Sequence, residues 1–328
     1  MSRPTIYVTR VLPEEALSVL ERCGRVRLWA GDGPVPRDVL LREARDAEAL
    51  FCLVTERIDE ELVRQAPRLR IVALMAVGYD NVQLGALGAR GIVLSNTPGI
   101  LAETTADLTF ALILAVARRV VEAERFVRTG KWRAWEPLLL AGCDVHHATL
   151  GVVGLGQIGT EVAKRARGFD MRVLYVSRTR KPGVEKALGC VAADLPTLLG
   201  ESDFVTLHLP LTPQTRHMIS AAELRLMRRS AYLVNAARGS LVDQQALVEA
   251  LRERVIAGAA LDVTDPEPVP PGDPLLALDN CLILPHIGSA TTATRTRMAV
   301  LAAKNVAAFF ATGRALTPVN PEVLDRRP

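Results

Sequence analysis

Three residues far apart in the chain could together carry a carbonyl–alcohol redox reaction: Arg238 in NAARGS, Glu267 in LDVTDPEP and His286 in LPHIGSAT. Reducing a 2-oxo acid places a hydride on carbon and a proton on oxygen. An imidazole, with an ordinary pKa of ~6.5, can deliver that proton. A carboxylate beside it favours the charged ring and fixes its orientation. A guanidinium can bind the substrate carboxylate and stabilise charge developing on the carbonyl oxygen. Taken singly, each has a duller reading: a helix-flanking charge, a loop acid, a polar turn residue. What groups them is position. Each follows a short apolar run, and in a wound parallel sheet the loops at the carboxyl ends of the strands converge on a ligand.

The hydride must come from a cofactor, and a glycine motif supplies a place for one. ATLGVVGLGQIGTEVAKRARGF holds Gly154, Gly156 and Gly159 in G-x-G-x-x-G spacing, between a β-rich run and a helical pattern. The first glycine allows a tight turn, the second lets a pyrophosphate approach the backbone, and the third lets helix and strand pack closely. The N–H groups of Gln157 and Ile158 open the helix towards an anion. A ligand-free strand–helix turn is the rival reading. The following strand, MRVLYVSRTRK, lacks the acid that would hold a ribose 2′-hydroxyl. Val176 or Ser177 stands there, and Arg178, Arg180 and Lys181 follow. Cations without a carboxylate suit a 2′-phosphate, so NADP(H) is the expected preference, with NAD(H) as the other dinucleotide and a solvated basic loop as the rival reading.

These residues need a frame. Short apolar strands (TIYVT, VRLW, ALFCLV, RIVALMA) alternate with amphipathic helical patterns, and a second series runs from ATLGVVGLG through MRVLYVS, DFVTLHL, AYLVNA, AGAALDV and CLILP. That alternation predicts α/β architecture with parallel sheets. One long helix is expected from about Glu103 to Thr129 and another over about 292–312. TDPEPVPPGDP should be an ordered, extended loop. At 328 residues the chain is long enough for two domains. A net charge of +4 with interspersed signs argues against a nucleic-acid surface. The apolar run in ADLTFALILAVARR is too short for a membrane span. The five scattered cysteines lack metal-ligand spacing and read as reduced thiols of a cytoplasmic protein; no metal is expected. The N-terminus lacks the apolar segment of a signal peptide.

With MAVGYDNV, AETTADLTFALIL, GVVGLGQIG, LHLPLTPQT, NAARGSLVD, LDVTDPEP and LPHIGSAT in this order, the chain resembles the D-isomer-specific 2-hydroxyacid dehydrogenases, most closely the glyoxylate/hydroxypyruvate reductases. The resemblance implies two Rossmann-like domains, the cofactor domain (101–287) being inserted into a flavodoxin-like substrate domain (1–100 and 288–328). It implies that Arg238, Glu267 and His286 are the catalytic residues, and that Leu53, Val77 and Gly78 contact substrate alongside Arg238 and His286. Thr105 would lie near a cofactor phosphate, Pro210 and Thr215 along the adenosine, and Asp262 against the nicotinamide amide. A homodimer through the cofactor domains is implied, with Trp132 and Trp135 as candidate anchors. Leu139 stands where mammalian-type reductases carry a tryptophan that reaches the partner's site, which alters the expected pocket. The implied activity is reduction of glyoxylate, hydroxypyruvate or a similar small 2-oxo acid to the D-2-hydroxy acid. Two alternatives are a sister dehydrogenase acting on phosphoglycerate or a branched 2-oxo acid, and a dinucleotide-sensing protein of the corepressor type.

Overall fold

The computed structural model describes residues 3–324. The chain divides into two compact units, one drawn from both ends of the chain (up to Ile100 and from Ala290 onward), the other running from Leu101 to Ser289.

In the first unit, strands β1 (Thr5–Val8), β2 (Arg25–Leu28), β3 (Ala49–Cys52), β4 (Ile71–Leu74) and β5 (Val93–Ser95) form one sheet in the order β2-β1-β3-β4-β5. Every pairing is parallel. This is the flavodoxin-like order. The inner strands are apolar on both faces because both faces are covered. Ile6, Val8, Ala49, Phe51, Ile71 and Ala73 point to one side, where Ala16 and Leu20 of helix Glu14–Cys23 and Ala299, Ala302, Val306 and Phe309 of helix Thr292–Thr312 meet them. Tyr7, Leu50, Cys52, Val72 and Leu74 point to the other, against Leu40, Leu62 and Leu87 of three further helices. The run of alanines on Thr292–Thr312 lets that helix approach its neighbour closely. Burial of each larger side chain contributes roughly 1.5–3 kcal/mol. Strand β5, at the sheet edge, is not among the strands the sequence pattern singled out, being only three residues long.

The second unit holds β6 (Thr149–Val153), β7 (Arg172–Val176), β8 (Val191–Ala192), β9 (Phe204–Leu207), β10 (Tyr232–Asn235), β11 (Gly258–Leu261) and β12 (Cys281–Ile283), ordered β12-β11-β10-β9-β6-β7-β8. All neighbours are again parallel. The strand order reverses between β6 and β9, the topological switch point of a Rossmann sheet. The expected long helix is two helices, Ala102–Ala117 and Val120–Arg128. Arg119 breaks it in a left-handed conformation (φ 53°), and its guanidinium grips Glu122 with contacts of 2.8 and 2.7 Å. Helical periodicity runs through that break, which is why the sequence pattern reads as continuous. The proline-rich segment is loop until a 3-10 turn at Pro274–Ala277, as its composition requires.

Candidate active site

Strands β10, β11 and β12 are neighbours and point the same way, so their carboxyl ends open side by side, spaced by roughly 5 Å per strand. Arg238 follows β10, Glu267 stands on the longer loop after β11, and His286 follows β12. The structure joins the last two directly: His286 Nδ1 lies 2.6 Å from Glu267 Oε1. Both side chains are about a third exposed, at 33% and 39%. Arg238 is held by its own turn. The buried Asn235 side chain donates to Arg238 O at 2.8 Å and accepts from Ala237 N at 3.1 Å. Gly239 then presses on the loop that leads to Glu267: a Cβ there would collide with the Thr264 carbonyl. Arg238 and Glu267 are therefore on loops packed backbone to backbone.

His286 adopts φ 55°, a left-handed conformation that is uncommon outside glycine and that asparagine, aspartate and histidine take more often than other residues. Backbone strain of this kind persists only where the surroundings impose it, and here the agent is Asp262. Its carbonyl accepts from His286 N at 2.9 Å. Its carboxylate oxygens accept from Ile287 N and Gly288 N, each at 2.7 Å. Burial pushes the Asp262 carboxyl up, and the two amides pull it back. Asp262 is thus the post on which the histidine turn is hung. Thr105, on helix Ala102–Ala117, reaches the same turn: Gly288 sits against Asp262 and Thr105, and a Cβ on it would come within 3.2 Å of the first and 3.4 Å of the second.

The glycine loop fits a dinucleotide. Gly154 has φ 103°, and a Cβ on it would lie 2.6 Å from His208 O; a Cβ on Gly159 would strike Gly154 O; at Gly156 the same construction meets only open space. The first and third glycines are required by backbone approach within the protein, the second by none, which leaves room for a phosphate. No side chain caps the helix Gln157–Ala166, so the amides of Gln157 and Ile158 at its first turn are open to an anion. Beyond β7 the expected cations separate. Arg180 donates through Nε and Nη2 to Glu185 at 2.9 and 3.1 Å. Glu185 also accepts from the Tyr175 hydroxyl at 2.5 Å, and that hydroxyl accepts from Lys181 N at 2.9 Å. Arg178 is exposed beside Ser177. The loop after β9 is locked internally by Thr215, whose hydroxyl donates to Pro210 O at 2.8 Å and accepts from Thr212 N at 2.8 Å.

In the other unit, Leu53 follows β3 and Val77 and Gly78 follow β4, again at carboxyl ends of neighbouring strands. Leu53 N donates to Glu56 Oε2 at 2.7 Å. Asn81 ties the two loops by donating to Leu53 O at 3.2 Å and Glu56 O at 2.7 Å. Asn96 donates to Val77 O at 2.9 Å.

Several of these holders went unread in the sequence: Asn235, Glu56, Asn81 and Asn96. A polar residue just past an apolar run was their sole signal, and that signal does not distinguish a buried clamp from a solvated turn. His208, within LHLP, is another. It follows β9 at the switch point, and both ring nitrogens are buried without a hydrogen-bond partner. Burial pushes its pKa down to about 4, so the ring is neutral at physiological pH.

Comparison with known proteins bears on this geometry. The sequence model for the D-isomer specific 2-hydroxyacid dehydrogenase NAD-binding domain matches residues 110–288. Glyoxylate reductase of Korarchaeum cryptofilum is 50% identical over 327 residues, spanning 99% of this chain and 98% of the relative. That of Thermococcus litoralis is 47% identical over 330 residues, with 99% of each covered. Among solved structures, a protein from Thermus thermophilus superposes with a TM-score of 0.90 at 50% identity, covering 96% of this chain and 99% of its own. An NADPH-dependent glyoxylate/hydroxypyruvate reductase of Sinorhizobium meliloti, in complex with NADP and malonate, does so with a TM-score of 0.85 at 34% identity over 100% of both chains. The chain belongs to the D-isomer-specific 2-hydroxyacid dehydrogenases.

Proposed function

We propose that this protein is an NADP(H)-preferring reductase of glyoxylate, hydroxypyruvate or a similarly small 2-oxo acid, yielding the D-2-hydroxy acid. The observation that carries the reading is the 2.6 Å contact between His286 and Glu267 at adjacent strand ends, on a histidine turn that Asp262 holds in a left-handed conformation. Full-length identity to glyoxylate reductases supports the substrate class.

With Nδ1 committed to Glu267, proton exchange with the substrate oxygen falls to His286 Nε2. Glu267 stabilises the imidazolium and fixes the ring. Arg238 binds the substrate carboxylate and stabilises negative charge on the carbonyl oxygen. Leu53, Val77 and Gly78 are assigned to the substrate from their own unit, and Leu139 to the size of the pocket. The bound nicotinamide supplies the hydride. The pyrophosphate is assigned to Gly154–Gly159, the adenosine side to Pro210 and Thr215, and Thr105 and Asp262 to the phosphate and nicotinamide sides. Ser177, Arg178, Arg180 and Lys181 are assigned to the 2′-phosphate. Arg178 leads this set, because Glu185 neutralises Arg180.

A second copy of the chain is the assigned partner. Trp135 and Leu138 are 80% and 83% exposed, and Val120, Val121, Val127 and Trp132 extend that apolar strap along the cofactor unit. Large exposed apolar side chains concentrated in this one stretch of sequence support coverage by another subunit. We place the enzyme in the cytoplasm: all five cysteines are free thiols, and burial raises the pKa of each, as suits unreactive side chains. Among the described residues, no helix is long and apolar enough to cross a membrane.

A steady-state panel of 2-oxo acids with NADPH and NADH tests the assignment. Highest kcat/KM for a two- or three-carbon oxo acid with NADPH is expected. Dinucleotide binding without turnover of any oxo acid would overturn it.

A further inference from the structure

The loops after β9, β10 and β11 meet on one side chain that plays no part in the proposed chemistry, Asp265. Its carboxylate accepts from the Ser240 hydroxyl, two residues past Arg238. Arg216 Nη2, at the end of the adenosine-side loop, approaches the same oxygen at 3.5 Å. The Asp265 N–H donates to Gln244 Oε1 at 3.0 Å, and Gln244 Nε2 donates to Asp273 Oδ2 at 3.0 Å, near the far end of the proline-rich loop. His217 N donates to Ser240 O at 2.8 Å, closing the circuit on the β9 side.

We infer that Asp265 is a positioning residue: its clasp with Ser240 sets the loop bearing Glu267 in register with the loop bearing Arg238. This rests on the reductase assignment above. The physical need is plain. Glu267 is partly exposed and stands six residues past the end of β11, so the sheet alone does not fix it. Arg238 is fixed by Asn235 and Gly239. The Ser240–Asp265 pair transfers that fixity across the gap, two residues from each functional side chain. A displacement of about 1 Å of a catalytic group lowers rates on the order of 100-fold, so a loosened clasp must appear in turnover.

The test uses full-length Ser240→Ala, Asp265→Ala, the double variant and Ser240→Thr. Each single alanine variant should lower kcat/KM for the 2-oxo acid roughly tenfold, with dinucleotide Kd within about threefold of wild type. The double variant should be no worse than about threefold below either single, because both singles already remove the Ser240–Asp265 bond. Ser240→Thr, which keeps the hydroxyl, should recover most of the activity. Amide exchange over residues 264–270 should quicken in the alanine variants and not in Ser240→Thr. Multiplying losses in the double variant, dinucleotide affinity falling in step with turnover, or unchanged exchange would each overturn the clasp. Wild-type protein that binds dinucleotide yet reduces no oxo acid would instead overturn the reductase assignment, and the exchange measurement would still decide the clasp.

Discussion

His208 converts the packing at the switch point into a measurable dependence of stability on pH. Its ring is neutral when folded, with a pKa of about 4 against an ordinary 6.5, because burial penalises the charged form. The depressed value fixes the sign. Above pH 6.5 neither the folded nor the unfolded state protonates it, and its contribution to stability is complete. As pH falls below 6.5 the unfolded chain takes up the proton first, and stability declines until the folded ring also titrates near pH 4. The difference between about 4 and the ordinary 6.5 corresponds to about 3 kcal/mol over the whole window, of which about 2 kcal/mol is lost by pH 5. For a unit of this size that is roughly 4–8 °C in Tm. Denaturation of wild type and His208→Leu should be compared at about pH 8 and pH 5 without ligand. The variant removes two buried, unpartnered nitrogens, so its stability should fall less between the two pH values, by about 2 kcal/mol. Other titrating groups are common to both proteins and cancel. Equal losses in wild type and variant would show that the imidazole is solvated or paired, and would refute the placement of its ring nitrogens.

Two further outcomes address the chemistry. His286→Ala should lower kcat by several orders of magnitude while dinucleotide Kd stays within a few-fold, since the loss is confined to proton transfer; near-wild-type kcat would remove His286 from the mechanism. Arg178→Gln should lower kcat/KM for NADPH on the order of tenfold and leave NADH nearly unchanged, whereas Arg180→Gln should change the NADPH/NADH ratio less, because Glu185 already accepts from its Nε and Nη2; equal losses with the two cofactors, or a larger effect at Arg180, would refute that ordering.

The frame and the glycine loop were both legible in the amino-acid sequence, for the same reason: each has a local signature. A buried parallel strand announces itself as a short, largely apolar run, and β3, β4, β9 and β11 are buried at every residue. The glycine spacing likewise reports backbone constraints that Gly154 and Gly159 show individually. What escaped is what depends on three-dimensional neighbours. Arg119 interrupts a helix whose apolar period continues unbroken across it. Three closely spaced basic residues after β7 look alike on paper, yet Glu185, on the following helix, singles out Arg180.

The same distinction explains how the site is built. A sheet determines where its strands end, but His286 reaches its position only by adopting a left-handed conformation, which outside glycine costs about 1–3 kcal/mol. That cost is met locally, by Asp262 accepting two amide hydrogen bonds from the turn itself. Hydrogen bonds to a charged acceptor contribute about 1.5–3 kcal/mol each, so the two together suffice to hold the turn. Burial raises the Asp262 carboxyl, and the two amides, with the nearby His286, oppose that rise and favour the ionised form that accepts them. Position at adjacent strand ends therefore explains why Glu267 and His286 meet and why Arg238 stands on the loop packed against that of Glu267, and buried polar holders such as Asn235 and Asp262 explain why their loops keep one geometry. The side chains at these strand ends are placed by strand order and aimed by hydrogen bonds that no linear motif displays.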